Sequence, residues 1–445
     1  MTISSLTATV AITLADRAAN AAGFGTPAIF CQAPYVGGKL YELSPEGLAA
    51  MVTDGFSASS GVYFRGYQLA SQMAAQSPHA TNVMVYGRTT TYPSLLRLTP
   101  LVTAEGAVYN FDVRIGSLVT SISYAVPAAA TVATVVTGLH ALVNAIVGVT
   151  SSDDTTHLSI SPTTAGTIVQ LKGVAPAYAT VLDTSGNLGI ENDLAAAVAD
   201  PDTPEFFDFV IDSYCEAEST AAAIWAEANK RPFYAQTADT TNVADAAGTG
   251  IGQDFFTAGY NLSSVWHNGD MPGSCAACVV GRMAAFTPGT SAAHYKSLSS
   301  VSPDALSASH LANANGKNIN LYALNSGTPH TFFGKMSSGR SIRLQRALLM
   351  LEARIKEAIL NTFLGAEFIP MNVQGFGKME AAVRAVLANF RSLGIIEAGF
   401  TVSVPTPSSL TASDLANGVL KALTFSCVMA GDMQRVEVSG SVSLV

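Results

Sequence analysis

The most suggestive chemical spacing in the chain is Cys275-Ala276-Ala277-Cys278, which matches a redox dithiol or one half of a zinc site. Either use needs more than two sulfurs. A redox pair wants a thiolate stabilised by nearby positive charge, and a zinc site wants a second pair of ligands. The remaining cysteines, Cys31, Cys215 and Cys427, are dispersed, and an odd total of five does not make a disulfide framework. The seven histidines, His79, His140, His157, His267, His294, His310 and His330, fall singly, none paired four apart as a helical metal site requires. "SCAACVVGRMAA" therefore reads as a small-residue helix with packed thiols. "GTGIGQD" at 248–254 has the glycines of a phosphate loop but neither its Lys-Ser/Thr ending nor the dinucleotide spacing. Acidic neighbours such as Asp153 with Asp154, and Asp200 with Asp202, sit in turn-like stretches where solvation explains them. There is no G-x-S-x-G elbow. The residues predict no catalytic, metal-binding or cofactor-binding set, and no cofactor.

The elements around these residues alternate between strand and helix. "AIFC" reads as a strand, Ser59 to Gln76 as a helix, and "NVMVYGR" as a strand. The pattern resumes after "ADPDTPE" with "FFDFVI", "ESTAAAIWAEANK", "PFYAQT", a helix at "GQDFFTAG" and "LSSVWHN". Between them the composition shifts to Thr, Val, Ala and Ser: "AVYNFDVRIG" and "SISYAV" predict strands, "TVVTGLHALVNAIVG" a helix, and "HLSISPTTAGTIVQLKG" a hairpin. Residues 21–102 and 202–330 are thus expected to form one split α/β domain, with an inserted mixed α+β domain at 103–201. From 331 to 433 two helical stripes predict an α+β C-terminal domain. Leu344, Leu348, Leu351, Ile355 and Ile359 form one stripe, and Met379, Val383, Val386 and Phe390 the other. Both chain ends alternate as strands do: Leu6, Val10, Ile12 and Leu14 in an arm at 1–20, and Val436, Val438, Val442 and Leu444 in an arm at 434–445. The expected fold class is a multidomain α/β protein with extended terminal strand arms. Gly440, in mid-strand, marks a bulge or a hinge.

Bulk properties narrow the function. Of 445 residues 49% are hydrophobic and only 12% charged, well below the roughly one quarter usual for soluble domains, so much of the surface is neutral and suited to protein contact. The net charge of -9 argues against nucleic acid as a partner. No apolar run reaches the length of a membrane span, and the start lacks the basic region of a signal peptide, so synthesis in the cytoplasm is expected. Residues 331 to 397 nevertheless hold nine Lys or Arg against five Glu, a locally basic region on an acidic chain.

The order of "GFGTPAIF", "YQLASQMAAQSPHATNVMVYGR", "IWAEANKRPFYAQT" and "VVGRMAAFTPGT" resembles that of contractile tail sheath proteins. "RLQRALLMLEARIKEAILNTF", "FIPMNVQGFGKMEAAVRAVLANFRSLGII" and "LTFSCVMAGDMQRVEVSGSV" resemble the sheath C-terminal domain of long-tailed contractile phages and related injection devices. One departure is Met371-Asn372-Val373, where a Tyr-Thr-Asp-like turn is expected after "IP". The resemblance implies a virion tail protein, made and assembled in the host bacterial cytoplasm. It implies stacked hexameric rings or a six-start helix around an inner tail tube protein, with baseplate and tail terminator proteins at the ends. It further implies no membrane insertion, exchange of the terminal strands between subunits, and contraction that drives the tube through an envelope. Lys335, Arg340, Arg343, Arg346, Lys378, Arg384 and Arg391 become candidates to face the tube, and the inserted region to face outward. The competing readings are an α/β enzyme with an unmarked active site and a surface glycan-binding module.

Overall fold

A computed structural model describes residues 24–91, 94–175 and 177–431, which divide into two compact units, one ending at Ile342 and the other beginning at Arg343. In the larger unit β1 (Ala28–Cys31), β2 (Gly37–Glu42) and β3 (Asn82–Gly87) open a mixed sheet. The chain then leaves it for β4 (Leu96–Pro100), β5 (Val108–Ile115), β6 (Leu118–Ala125), β7 (Val149–Asp153), β8 (Leu158–Pro162), β9 (Val169–Lys172) and β10 (Ala179–Asp183). It returns with β11 (Phe209–Ile211), β12 (Phe233–Thr237), β13 (Ser263–His267), β14 (Asn320–Asn325) and β15 (Thr328–Phe332). The sheet order is β15-β14-β13-β12-β11-β1-β3-β2, parallel throughout except at the two outermost pairings, β14 with β15 and β2 with β3.

Alternation along these strands feeds two cores, one per face, because successive side chains of a strand point to opposite sides. Ile29, Val83, Val85, Val210, Tyr234 and Trp266 pack with Met51, Leu69, Met73 and the helix Cys275–Met283. Phe30, Met84, Phe209, Phe233 and Val265 pack on the other face with Leu194, Ala222, Trp225 and Phe255. The expected small-residue helix at the Cys-x-x-Cys is thus real, and its eight buried residues explain the composition: Gly281 lies so near the helix Phe64–Ala74 that an added Cβ would stand 2.7 Å from Met73 Cβ.

The segment from β4 to β10 builds a third core between a four-stranded sheet, β10-β4-β8-β7, and a three-stranded one, β6-β5-β9, with the helix Val132–Val143 against them. The separate sheets begin at Leu96 and end at Asp183 rather than at 103 and 201, and the helix Ile190–Ala199 already packs on the main sheet. The hairpin expected from "HLSISPTTAGTIVQLKG" does not form: β8 and β9 belong to different sheets. Leu158, Ile160, Val169 and Leu171 all enter the same core, so the strand pattern is right, while the turn around Gly166 (φ +82°) carries the chain from one sheet to the other. The helix expected from Ser59 starts later, at Phe64, after Tyr63 adopts a left-handed conformation (φ 69°).

The smaller unit contains the helices Ile342–Leu364 and Val373–Ser392, then an antiparallel ribbon of β16 (Ile396–Ser403) and β17 (Thr424–Met429). Phe376, Met379, Val383, Leu387 and Phe390 are the buried stripe of the second helix, which packs on β16; Leu387 takes the place expected of Val386. The turn at Met371-Asn372-Val373 has its own logic: Asn372 caps that helix by accepting from the Gln374 and Gly375 amides at 3.0 and 3.1 Å.

The tight helix contact at Gly281 yields an expectation. Gly281→Val should cost the larger unit about 1–3 kcal/mol by overpacking, seen as a lower urea midpoint with unchanged slope, whereas Gly316→Ala, in open space in the same unit, should not.

Candidate functional site

In an open parallel sheet, ligands bind beyond the carboxyl ends of the strands, where successive connections diverge. Here that point lies between β1 and β11, since β3 adds on one side of β1 and β11 to β14 on the other. The residues just beyond the strands are polar and buried: Gln32, Arg88, Asp212, Asp239, Asn268 and Asp270. Arg88, the residue after β3, reaches three carboxylates. Its Nε lies 3.0 Å from Asp193, its Nη2 2.5 Å from Glu218 and its Nη1 3.6 Å from Asp212, all four side chains 4% exposed or less. Asp212 also accepts from the Gln32 amide at 2.9 Å, tying β11 to β1. Burial opposes the Arg88 charge, but Asp212 and Glu218 more than offset it and hold the guanidinium protonated; burial also pushes the Asp212 and Glu218 carboxyls up.

The crevice is covered by the segment that leaves the sheet. Tyr214, Ala238 and Met271, from the loops after β11, β12 and β13, belong to the third core with β4 to β10. Arg65 bonds the Tyr214 hydroxyl, which donates to the Met271 carbonyl. The β5–β6 turn at Gly116 meets Ser59 and Ser60 so closely that a Cβ there would lie 2.3 Å from Ser60 Cα.

The other sequence candidates resolve in place. The thiols of Cys275 and Cys278 are fully buried and burial pushes both up, which disfavours thiolate chemistry. The Gly-rich stretch opens the helix Ile251–Ala258, but the Gly252 amide there donates to Asn242 Oδ1 at 2.8 Å. The nearby carboxylates Glu216, Asp239 and Asp254 would repel a phosphate. Among the described residues no group of three His, Cys, Asp or Glu side chains is arranged to hold a metal ion, and no helix is long and apolar enough to cross a membrane.

The smaller unit presents a different surface. Among the described residues β16 pairs only with β17, so the ribbon has an unpaired edge on each side. Along β17, Phe425, Cys427 and Met429 are half-buried while Thr424, Ser426 and Val428 are exposed. Arg343 holds the Ala430 carbonyl just after β17, and the Ala430 amide donates to the Ile395 carbonyl at 2.9 Å. Arg384 and Arg391, seven apart on one helix face, lie along β16: Arg384 bonds Glu380 at 2.7 Å and the Val402 carbonyl at 3.3 Å, and Arg391 stands over the Phe400 ring at 5.7 Å.

These placements narrow the seven candidate cations, only some of which were expected to face a tube. Arg346 is 0% exposed and Arg343 8%, so neither is a surface charge; each falls on the buried side of its helix. Lys335 and Arg340 precede the break between units, and Lys335 bonds Asn315 at 3.0 Å with its ammonium pKa lowered by burial. Lys378, Arg384, Arg391 and Arg340 are exposed. Sequence reasoning missed the exposed apolar turn between the helices, where Leu364, Phe368 and Val373 are 73–75% exposed; three large apolar residues outside any helical stripe were the available signal. Leu6, Val10, Ile12, Leu14, Val436, Val438, Gly440, Val442 and Leu444 lie outside the described residues.

No protein-family model matches the chain, and no curated protein matches it. Solved structures of sheath proteins are similar to it. The sheath tail protein of Desulfitobacterium hafniense is 12% identical over 89% of this chain and 93% of its own, with a TM-score of 0.48. The sheath tail protein of Listeria innocua is 13% identical over 87% and 90%, at 0.47. The sheath of an extracellular contractile injection system in its contracted state is 10% identical over 99% of both chains, at 0.47.

The strand-end cluster carries its own test. Arg88→Met leaves three buried carboxylates without their cation, and removing one partner of a buried ion pair costs about 3–5 kcal/mol; the larger unit should unfold at a markedly lower urea midpoint.

Proposed function

We propose that the chain is a non-enzymatic structural subunit of a contractile tail sheath, polymerising around an inner tail tube and contracting to drive it through the host envelope. The observation that carries the reading is the ribbon β16-β17, which among the described residues pairs with no third strand. A two-stranded sheet is marginal alone and its free edges are templates for further strands. The chain itself supplies strand-patterned segments at 1–20 and 434–445. Each donated strand adds roughly five backbone hydrogen bonds worth about 1 kcal/mol apiece, and tethering to a docked neighbour raises its effective concentration. A single link is weak and a lattice of them durable. The sealed crevice at Arg88 supports a structural rather than a catalytic use of the α/β sheet.

In this reading copies stack as hexameric rings or a six-start helix, with baseplate and terminator proteins at the ends, in a virion tail assembled in the bacterial cytoplasm. The β4 to β10 segment faces outward. Lys378, Arg384 and Arg391 are the remaining candidates to grip an acidic tube through weak, salt-screened pairs. The exposed turn at Phe368 is a contact patch for a neighbour.

Deleting 434–445 tests strand donation. The full chain should form striated cylinders in negative-stain images and the truncated one dispersed subunits with unchanged far-UV circular dichroism; long sheaths from the truncated chain would refute it. Lys378→Glu combined with Arg391→Glu should weaken assembly templated on the tube, most visibly at low salt, and intact templating would remove these residues from the grip.

A further inference from the structure

Among the described residues the larger unit's three sheets have six edge strands, and five of them are blunted against further pairing. β2 carries Lys39 and Glu42. β15 contains Pro329, and its Thr331 exchanges backbone hydrogen bonds with Tyr295 and Lys296 at 2.8 and 2.9 Å. β7 ends on Asp153, and its Ser151 amide donates to Asn144 Oδ1 at 3.3 Å. In β9 the Leu171 carbonyl accepts from the Met271 amide at 3.2 Å, and the Val169 amide donates to Ser94 Oγ at 3.2 Å. β10 ends on Asp183, and Thr240 donates to its Ala179 carbonyl at 3.4 Å. The exception is β6.

β6 runs for eight residues, LVTSISYA, without a charge or a proline, and among the described residues no strand but β5 pairs with it. The register runs from Val108 opposite Ala125 to Ile115 opposite Leu118, and just beyond it the Val126 amide donates to the Ala107 carbonyl at 2.8 Å. Even-numbered residues therefore bond β5, while Val119, Ser121, Ser123 and Ala125 turn their amides and carbonyls away from it. All four are exposed, and Leu118 beside them is 52% exposed. The strand is held from behind: Ile122 is buried in the third core, Tyr124 lies against Gly138, and the Ser117 amide in the turn donates to the Ser59 carbonyl. An edge already fixed in place loses little freedom on pairing.

We propose that β6 is a self-association edge, pairing antiparallel with β6 of a second copy about a two-fold axis at Ile122. Val119 then faces the partner's Ala125, and Ser121 the partner's Ser123, so every outward residue of both strands is used and no charge is apposed. The edge is its own complement. A foreign partner would be selected by charge or by a pocket, and the edge offers neither: the ion pair on the adjoining face, Arg114 with Asp112 at 4.0 Å, is already neutral within β5. On a chain of net charge -9, an uncharged edge is where two copies meet with least repulsion. Two three-stranded sheets thereby become one of six strands. One strand edge per copy is at the small end of interface sizes, so the dimer is weak, with a dissociation constant on the order of 10 µM. The inference does not rest on the sheath reading. A two-fold contact cannot repeat inside a polar stack, so in that reading it joins free subunits or neighbouring stacks.

The test is sedimentation velocity of the full chain, on the fraction left after any cylinders are pelleted, from about 1 to about 100 µM so as to bracket that constant. The mass should move from one chain to two. Ser121→Lys with Ser123→Lys sets lysine opposite lysine across the axis and should weaken the dimer at least tenfold. Ser121→Lys with Ser123→Glu sets lysine opposite glutamate and should keep it. Both positions are exposed and Ser121 already bonds Asp112 at 2.7 Å, so both variants should fold with unchanged far-UV circular dichroism. A one-chain mass throughout for the unsubstituted protein would overturn the proposal, whether β6 is left bare or covered by another segment of its own chain. Equal association of the two variants would overturn it as well, by placing the contact elsewhere. Striated cylinders formed alike by the unsubstituted and the doubly lysine-substituted chains report on the sheath reading alone.

Discussion

The larger unit depends on one buried arrangement, a guanidinium among three carboxylates at the place where its strand connections diverge. Arg88 follows β3, Asp212 follows β11, Glu218 lies in the helix Glu216–Asn229 and Asp193 in the helix Ile190–Ala199, so one cation ties together four segments distant in sequence. Buried ion pairs contribute little net stability over apolar packing, because desolvation consumes most of the attraction. Their effect is specificity: once the segments have come together, any alternative register leaves an unpaired charge in the core.

That arrangement also occupies the carboxyl end of the sheet. The crevice that serves as a ligand site in other open α/β sheets is filled by Arg88 and covered by Tyr214, Ala238 and Met271, which belong to the core of the β4 to β10 segment. The polar residues there pair with one another: Arg88 reaches Asp193, Asp212 and Glu218, and Asp212 accepts from the Gln32 amide. The composition is poor in charge, and among the described residues of the smaller unit the ribbon β16-β17 pairs with no third strand.

The two helices of the smaller unit show how charge can mislead. Nine basic residues in the 331 to 397 stretch suggest a positive face, but a side chain's position on its helix decides whether its charge reaches solvent. Arg346 points inward and is fully buried, Arg354 pairs with Glu357 at 2.7 Å, and Lys356 with Glu352 at 3.3 Å. Burial and local pairing thus occupy part of the nine, leaving a smaller exposed set along the second helix.

The sequence by itself determined the elements. Periods of two and of 3.6 placed the main strands, the helix at the Cys-x-x-Cys and the two long helices, because burial of one face is a local property of spacing. Pairing was decided only by tertiary structure. β8 and β9 are adjacent in the chain and both apolar on alternate residues, yet a left-handed turn at Gly166 sends them to opposite sheets of one core. Arg88, Asp193, Asp212 and Glu218 carry no motif, since a charge cluster drawn from four segments has no spacing to read. The fate of each arginine likewise depends on which distant groups the fold brings near, and solvation and Coulomb attraction act through space rather than along the chain.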